Sequence, residues 1–457
     1  MLRTTNPATG IIVKELDSLG IEKAKALIAG ADEAFCKWRK TTFSQRAKVL
    51  NDVASHMREH KERLALFMTD EMGKPIKEAR AEVLKSAWCA EHYAAQAQTY
   101  LKKDLIETDA TSSYVQYMPL GVILGILPWN APFWLAFRFL APALMAGNTC
   151  VMRHASNVPD CAIAIAGLFD EVGAPKDIVR NLPVKSADVE KVIRDPRIRA
   201  VSLTGSSRVG AQVAGIAASE IKPAVLELGG SDPVIVLNDA DIDAAADIIT
   251  LSRIINAGQS CIAAKRIIVE KGVYDTMVEK MKDRLSALKV GDPRREDTDI
   301  GPLAKKDTRD KIHRQVIETI ESGARCLLGG EIPDRDGFFY PATLLADVLP
   351  HMSAFKEETF GPVAVMIKAE DAAHALKLAN DTDYGLGASI WTGDTARGEA
   401  LASDIFAGQV SVNGIVKTDP RLPSGGVKIS GYGRELGPHG IRQFVNTQQI
   451  WIGPKIE

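Results

Sequence analysis

From Val122 onward the chain alternates short β-rich runs with segments of helix length and pattern. Val122 to Leu127, Cys150 to Met152, Ile178 to Asn181, Ala200 to Leu203 and Ala224 to Leu226 form one series of predicted strands. A second series starts at Pro233-Val234-Ile235-Val236 and continues through Arg266 to Val269, Val363 to Ile367, Ala388 to Trp391 and Gln409 to Val412. Strands separated by helices pair in parallel, with the helices crossing over the sheet faces, so each series predicts a doubly wound α/β sheet. At 457 residues the chain is too long for one compact core, and two α/β domains account for its length. Their junction falls near Gly229-Gly230. Ahead of both, from Ile21 to about Leu101, apolar residues recur at helical spacing (Val49, Val53, Met57; Leu64, Phe67, Met68), and Gly73-Lys74-Pro75 interrupts them, which predicts a set of amphipathic helices.

Composition narrows the function. Hydrophobic content of 46% and charged content of 25% are those of a soluble globular protein, and a net charge of −2 offers neither nucleic acid nor an anionic membrane an electrostatic partner. The apolar stretch Leu120 to Leu127 is too short for a bilayer, Phe133 to Ala146 is interrupted by Arg138 and Pro142, and Met1 to Gly10 is too polar for a signal peptide. The six cysteines, at 36, 89, 150, 161, 261 and 326, show no metal-ligand spacing, so no metal is expected. Scattered thiols fit a reducing cytoplasm.

Two turns carry the chemistry. Cys261 lies in Asn256-Ala257-Gly258-Gln259-Ser260-Cys261, and Glu227 lies in Leu226-Glu227-Leu228-Gly229-Gly230. Taken alone, a cysteine of this kind is more often a small buried apolar residue, and such a glutamate is as often a surface group at a strand end. Together, on either side of the domain junction, a thiol and a carboxyl group supply what covalent acyl chemistry needs: one atom that attacks and another that activates water.

Further motifs extend the pattern: Pro128-Trp129-Asn130-Ala131-Pro132, Gly147-Asn148-Thr149, Thr204-Gly205-Ser206-Ser207-Arg208-Val209-Gly210, Glu357-Glu358-Thr359-Phe360-Gly361-Pro362 and Gly425-Gly426-Val427-Lys428-Ile429-Ser430-Gly431. In this order and over nearly the whole chain they resemble the aldehyde dehydrogenase superfamily, and within it the bacterial succinate-semialdehyde dehydrogenases. The resemblance implies a Rossmann-like nicotinamide dinucleotide domain at 1–98 and 119–229, a catalytic domain at 230–432, and a β oligomerisation segment at 99–118 and 444–457. Phe444 to Ile452 reads as a strand with an apolar edge, and an open edge invites a second subunit, so a homodimer or homotetramer is expected.

The same resemblance assigns roles. Cys261 is the nucleophile, Asn130 an oxyanion donor and Glu227 the general base. Trp129, Gly205, Ser206, Glu358 and Phe360 belong to the cofactor site, with Ser206 placed toward the pyrophosphate. Arg153 stands where a lysine is usual and Ser156 where a glutamate is frequent. Exchanging an anion for a hydroxyl beside a guanidinium removes repulsion of a 2′-phosphate, so NADP is expected to be accepted along with NAD. Arg138, between Phe137 and Phe139, is expected to face a substrate carboxylate, because a buried guanidinium needs an anion; Arg421 is a second anchor at the same entrance. The implied reaction is oxidation of succinate semialdehyde to succinate. Glutarate semialdehyde, a neutral aldehyde and transfer of the acyl group to coenzyme A stay open as alternatives, and a non-catalytic protein that kept the fold is the rival from another class. Ala131, Ile255 and Ser424 depart from residues frequent in the family and leave the tunnel width open.

Overall fold

Val122–Leu127 and Thr149–His154 run side by side in parallel, Val122 opposite Thr149 and Leu127 opposite His154, as two strands joined through a helix must. The computed structural model, which describes residues 2–453, contains two such sheets. The first has six strands in the order Gly431–Tyr432, Ala224–Glu227, Ile198–Thr204, Val122–Leu127, Thr149–His154, Val179–Asn181. The second has seven, in the order Arg325–Leu328, Thr343–Ala346, Val363–Ala369, Arg266–Glu270, Pro233–Val236, Gly387–Trp391, Gln409–Val412. All neighbours are parallel except at one edge of each sheet, where Gly431–Tyr432 and Arg325–Leu328 run antiparallel to their partners.

The period-two alternation of a strand sorts its side chains between two cores. Val122, Leu124 and Ile126 pack with Ala24, Ile28 and Ala31 of the helix Ile21–Trp38 on one face of the first sheet. Ile123 and Leu127 join the opposite core, built on the helices Phe43–Glu59, Lys61–Met72, Ile76–Tyr100 and Pro132–Ala146. Every residue of Pro132–Ala146 is buried, so this helix is apolar around its circumference apart from Arg138 and runs through the interior beside the sheet. The expected break at Gly73-Lys74-Pro75 is real: one helix ends at Met72 on a left-handed Gly73 and the next starts at Ile76.

Between Glu227 and Pro233 the chain leaves the first sheet for the second. It returns earlier than the expected boundary at 432: Gly431 pairs with Glu227 and Tyr432 with Leu226. The glycine-rich loop that precedes this short strand is thereby drawn over the end of Ala224–Glu227, and Leu436, Ile441 and Phe444 then rejoin the first core. The last strand, Val445–Ile452, pairs antiparallel with Ser112–Pro119 in a separate three-stranded sheet. Residues 454–457 of the expected oligomerisation segment lie outside the described residues.

Candidate active site

The end of Ala224–Glu227 and the turn before Arg266–Glu270 meet at a cavity of about 360 Å³, lined by Cys261, Glu227, Asn130 and Arg138 together with Trp134, Ile262 and Val416. Small residues permit the approach. A Cβ on Gly230 would stand 2.8 Å from the Cys261 carbonyl oxygen, and one on Gly229 would stand 2.6 Å from Glu358 Oε2.

The nucleophile turn is held in a costly backbone conformation. Asn256, Ala257 and Gly258 are left-handed in succession, at φ of 56°, 53° and 75°. Arg253, fully buried, donates to Gly258 O at 2.7 Å and Ala264 O at 3.2 Å and so braces the turn from both sides. Lys265, also buried, donates to the carbonyls of Ser260 at 2.8 Å and Cys261 at 2.6 Å. Neither role was legible, because both act on main-chain carbonyls that any sequence possesses. Burial pushes the Cys261 thiol up to about 11, with Lys265 and Arg138 acting in the opposite sense. The free site therefore holds a thiol that must lose its proton as it attacks.

Asn130 is fixed at both ends. Its side-chain Nδ2 donates to Gln259 O at 3.1 Å, while its main-chain carbonyl oxygen accepts from Lys74 Nζ at 2.9 Å and Asn256 Nδ2 at 2.8 Å. Lys74 is ion-paired with buried Glu82, whose other oxygen accepts from Phe133 N and Trp134 N at the start of Pro132–Ala146, an anion at the positive end of a helix. The main chain at Asn130 is thus tied through Lys74 and Glu82 to the start of the helix that also carries Arg138, and the side-chain amide is held by the carbonyl of Gln259.

Arg138 departs from its expected role. Its guanidinium lies in the cavity wall, but it meets two carboxylates of the protein itself, Glu435 at 2.5 Å and Glu227 at 3.2 Å, and donates to Ser424 Oγ at 3.3 Å. The premise that a buried guanidinium here requires an anionic substrate fails, because Glu435 supplies the anion. Burial opposes the charge of Arg138, and Glu435 and Glu227 more than offset it. Burial likewise raises the Glu227 carboxyl, to about 7; Arg138 lowers it and Glu435 raises it again. Glu227 Oε1 is buried without a hydrogen-bond partner, and the residue lines the cavity. Glu435 carried no signal in the sequence, since its partners are remote in the chain.

Arg421 also departs from expectation. It is exposed, forms a bidentate pair with Asp419 at 2.8 and 2.7 Å, and is absent from the cavity lining, so it is no second anchor there. Instead Lys85, a cavity-lining residue on Ile76–Tyr100, was missed: a lysine on an amphipathic helix reads as a solvated one.

Of the expected cofactor residues, Trp129 and Phe360 meet edge to face at 5.9 Å, and Glu358 Oε1 accepts from Gly230 N at 3.2 Å and stands 3.5 Å from Lys265 Nζ. Gly205 precedes Ser206, the exposed N-cap of Ser207–Ser219, whose hydroxyl accepts from Val209 N at 3.5 Å; the hydroxyl thus serves its own helix, and only loosely. Arg153, near the end of Thr149–His154, donates to Ser186 Oγ at 2.9 Å and keeps a buried Nε without a partner. Exposed Ser156 shares an open cavity of about 530 Å³ with Lys305 and Lys306. Lys306 is paired with Asp310 at 2.6 Å, whereas Lys305 and the half-buried Arg153 are close enough for their charges to act on one another, a cationic pair that fits a phosphate-bearing dinucleotide.

These elements define a class: a cysteine thiol, a side-chain amide and a buried carboxyl group on one cavity of a protein with two α/β sheets. The chain belongs to the aldehyde dehydrogenase family, whose model matches residues 1–450. It is 46% identical over 454 residues to a succinate-semialdehyde dehydrogenase [NADP(+)] of Mycobacterium tuberculosis, covering 99% of each chain. It is also 46% identical over 451 residues to a probable succinate-semialdehyde dehydrogenase [NADP(+)] of Synechocystis, again at 99% of each. Among solved structures it resembles the succinic semialdehyde dehydrogenase of Streptococcus pyogenes in complex with NADP+ (TM-score 0.97, 35% identity, 99% and 100% coverage). A lactaldehyde dehydrogenase of Escherichia coli is nearly as similar (TM-score 0.96, 33% identity, 99% and 95% coverage), so the fold alone does not choose the aldehyde. Among the described residues no helix is long and apolar enough to cross a membrane.

Proposed function

We propose that the protein oxidises succinate semialdehyde to succinate through an acyl intermediate on Cys261, with NADP, and also NAD, as cofactor, and that it acts in the cytoplasm as a homo-oligomer. The observation that carries this reading is the shared cavity of Cys261, Glu227 and Asn130. When bound, the nicotinamide dinucleotide supplies the hydride acceptor; Trp129, Arg153, Ser156, the Gly205-Ser206 turn, Glu358 and Phe360 would hold it. The chain's own groups do the rest. Cys261 Sγ adds to the aldehyde carbon as its proton passes to solvent, and Asn130 Nδ2 donates to the carbonyl oxygen as it becomes an anion. Loss of hydride leaves a thioester on Sγ. Glu227 takes a proton from water, the hydroxide adds to the thioester carbon, and the carboxylic acid departs as the thiol is restored.

A water-activating base has no use in an enzyme that passes its acyl group to coenzyme A, so Glu227 favours hydrolysis. The test is a panel of succinate semialdehyde, glutarate semialdehyde and butanal against both nicotinamide cofactors, with and without coenzyme A. Succinate semialdehyde should give the highest kcat/KM, NADP should serve at least as well as NAD, and coenzyme A should yield no acyl thioester. A hundredfold preference for NAD would refute the reading of Arg153 and Ser156.

A further inference from the structure

Resting on that reading, we infer that Lys85, with the Thr418 hydroxyl beside it, is the anchor that holds the distal carboxylate of the substrate, in place of Arg138. Four cations line the cavity: Lys74, Lys85, Arg138 and Lys417. Lys74 is paired with Glu82, and Arg138 with Glu435 and Glu227. An anion arriving at Arg138 would have to displace the general base or Glu435, both buried carboxylates with nowhere else to place their charge.

Lys85 is differently placed. Among the described residues no carboxylate pairs with it. Its Nζ donates to Thr418 Oγ1 at 3.0 Å and stands 4.2 Å from the centre of the Trp134 ring, which leaves two of its three N–H donors free. Trp134, Leu135, Ile262 and Val416 give the cavity an apolar lining, and low local polarity strengthens a charge-assisted hydrogen bond formed there. Lys417 is exposed, so an ion pair with it is screened and weaker. A short aldehyde with a carboxylate at its far end would place its reactive carbon at Cys261 and its charge at Lys85 within one cavity of about 360 Å³.

The electrostatics give a second signature. Burial brings Lys85 down to about 8, and Arg138 on the facing helix acts in the same direction; Glu82 and Cys89 on its own helix and Asp419 on the loop act against it. The charge is therefore present below about 8 and fades above, and a bound carboxylate would restore it. Preference for an acidic over a neutral aldehyde should fall as pH rises from 7 to 9.

The test measures kcat/KM for succinate semialdehyde and butanal with the whole enzyme and NADP. Lys85→Met, a nearly isosteric change, should lower the ratio of the two on the order of 10- to 100-fold, chiefly through KM, and remove the fall of the ratio with pH. Lys85→Arg should keep most of the ratio and hold it flat to higher pH. Lys417→Met should change it less than threefold. A ratio unchanged in Lys85→Met, or a larger loss in Lys417→Met, overturns the anchor while leaving the proposed substrate intact. Equal kcat/KM for both aldehydes in the unmodified enzyme overturns the substrate reading and the anchor with it.

Discussion

A single guanidinium shows how far residue identity carries a functional argument. Arg138 was legible as a charge in an apolar helix, and the demand for an anionic partner was correct physics. What the sequence could not supply was the partner, because Glu435 arrives from a loop almost three hundred positions later and Glu227 from the end of a strand. On the proposed mechanism the 3.2 Å contact makes Arg138 a positioning residue for Glu227, the proposed base. Its positive charge holds Glu227 below where burial alone would put it, so removing it should push the carboxyl higher and leave it protonated over more of the working range. In Arg138→Gln the acid limb of the kcat profile should shift upward by about one unit, and kcat at pH 7 should fall by about fivefold for succinate semialdehyde and butanal alike. Arg138→Lys should restore most of the limb. A loss confined to succinate semialdehyde would return Arg138 to the role of substrate anchor.

At the scale of elements, strands were the most legible part: Val122–Leu127, Pro233–Val236 and Gln409–Val412 begin and end where the alternation of β-rich and helical runs placed them. The short pieces escaped. Gly431–Tyr432 has too few residues for a period to register, and Arg325–Leu328 and the hairpin of Leu2–Thr5 with Ile12–Leu16 depend on a partner strand rather than on their own propensity. The nucleophile turn was legible as a motif but not as a strained one. Gly258 is needed twice: its φ is +75°, and a Cβ there would stand 2.3 Å from Gly361 O, in the loop that carries Glu358 and Phe360. Gly258→Ala must therefore push the nucleophile turn away from the cofactor loop. A displacement of about 1 Å in a reacting group can cost on the order of a hundredfold, and kcat should fall by that order for every aldehyde while the protein still folds. Turnover measured beside the thermal midpoint separates the two effects; kcat within threefold of the parent would show that the turn tolerates the shift.

For the whole molecule, the question is what covers the three-stranded sheet. Val445–Ile452 pairs with Ser112–Pro119 along its whole length, and among the described residues its other edge has no strand beside it. Trp451 and Ile452 are each 48% exposed there, and Leu105 is 79% exposed on the same sheet. An open strand edge with large apolar side chains is a liability in a monomer, because it templates pairing with whatever strand it meets. A second copy of the chain removes the liability in a closed, symmetric way, consistent with the proposed homo-oligomer. The double change Trp451→Lys with Ile452→Lys places two charges on that edge, at residues that do not line the cavity. Sedimentation equilibrium should then report a species of smaller mass than the unmodified protein. An unmodified protein that already sediments as a monomer of 49.4 kDa, or a variant of unchanged mass, would show that this sheet edge is not where copies of the chain meet.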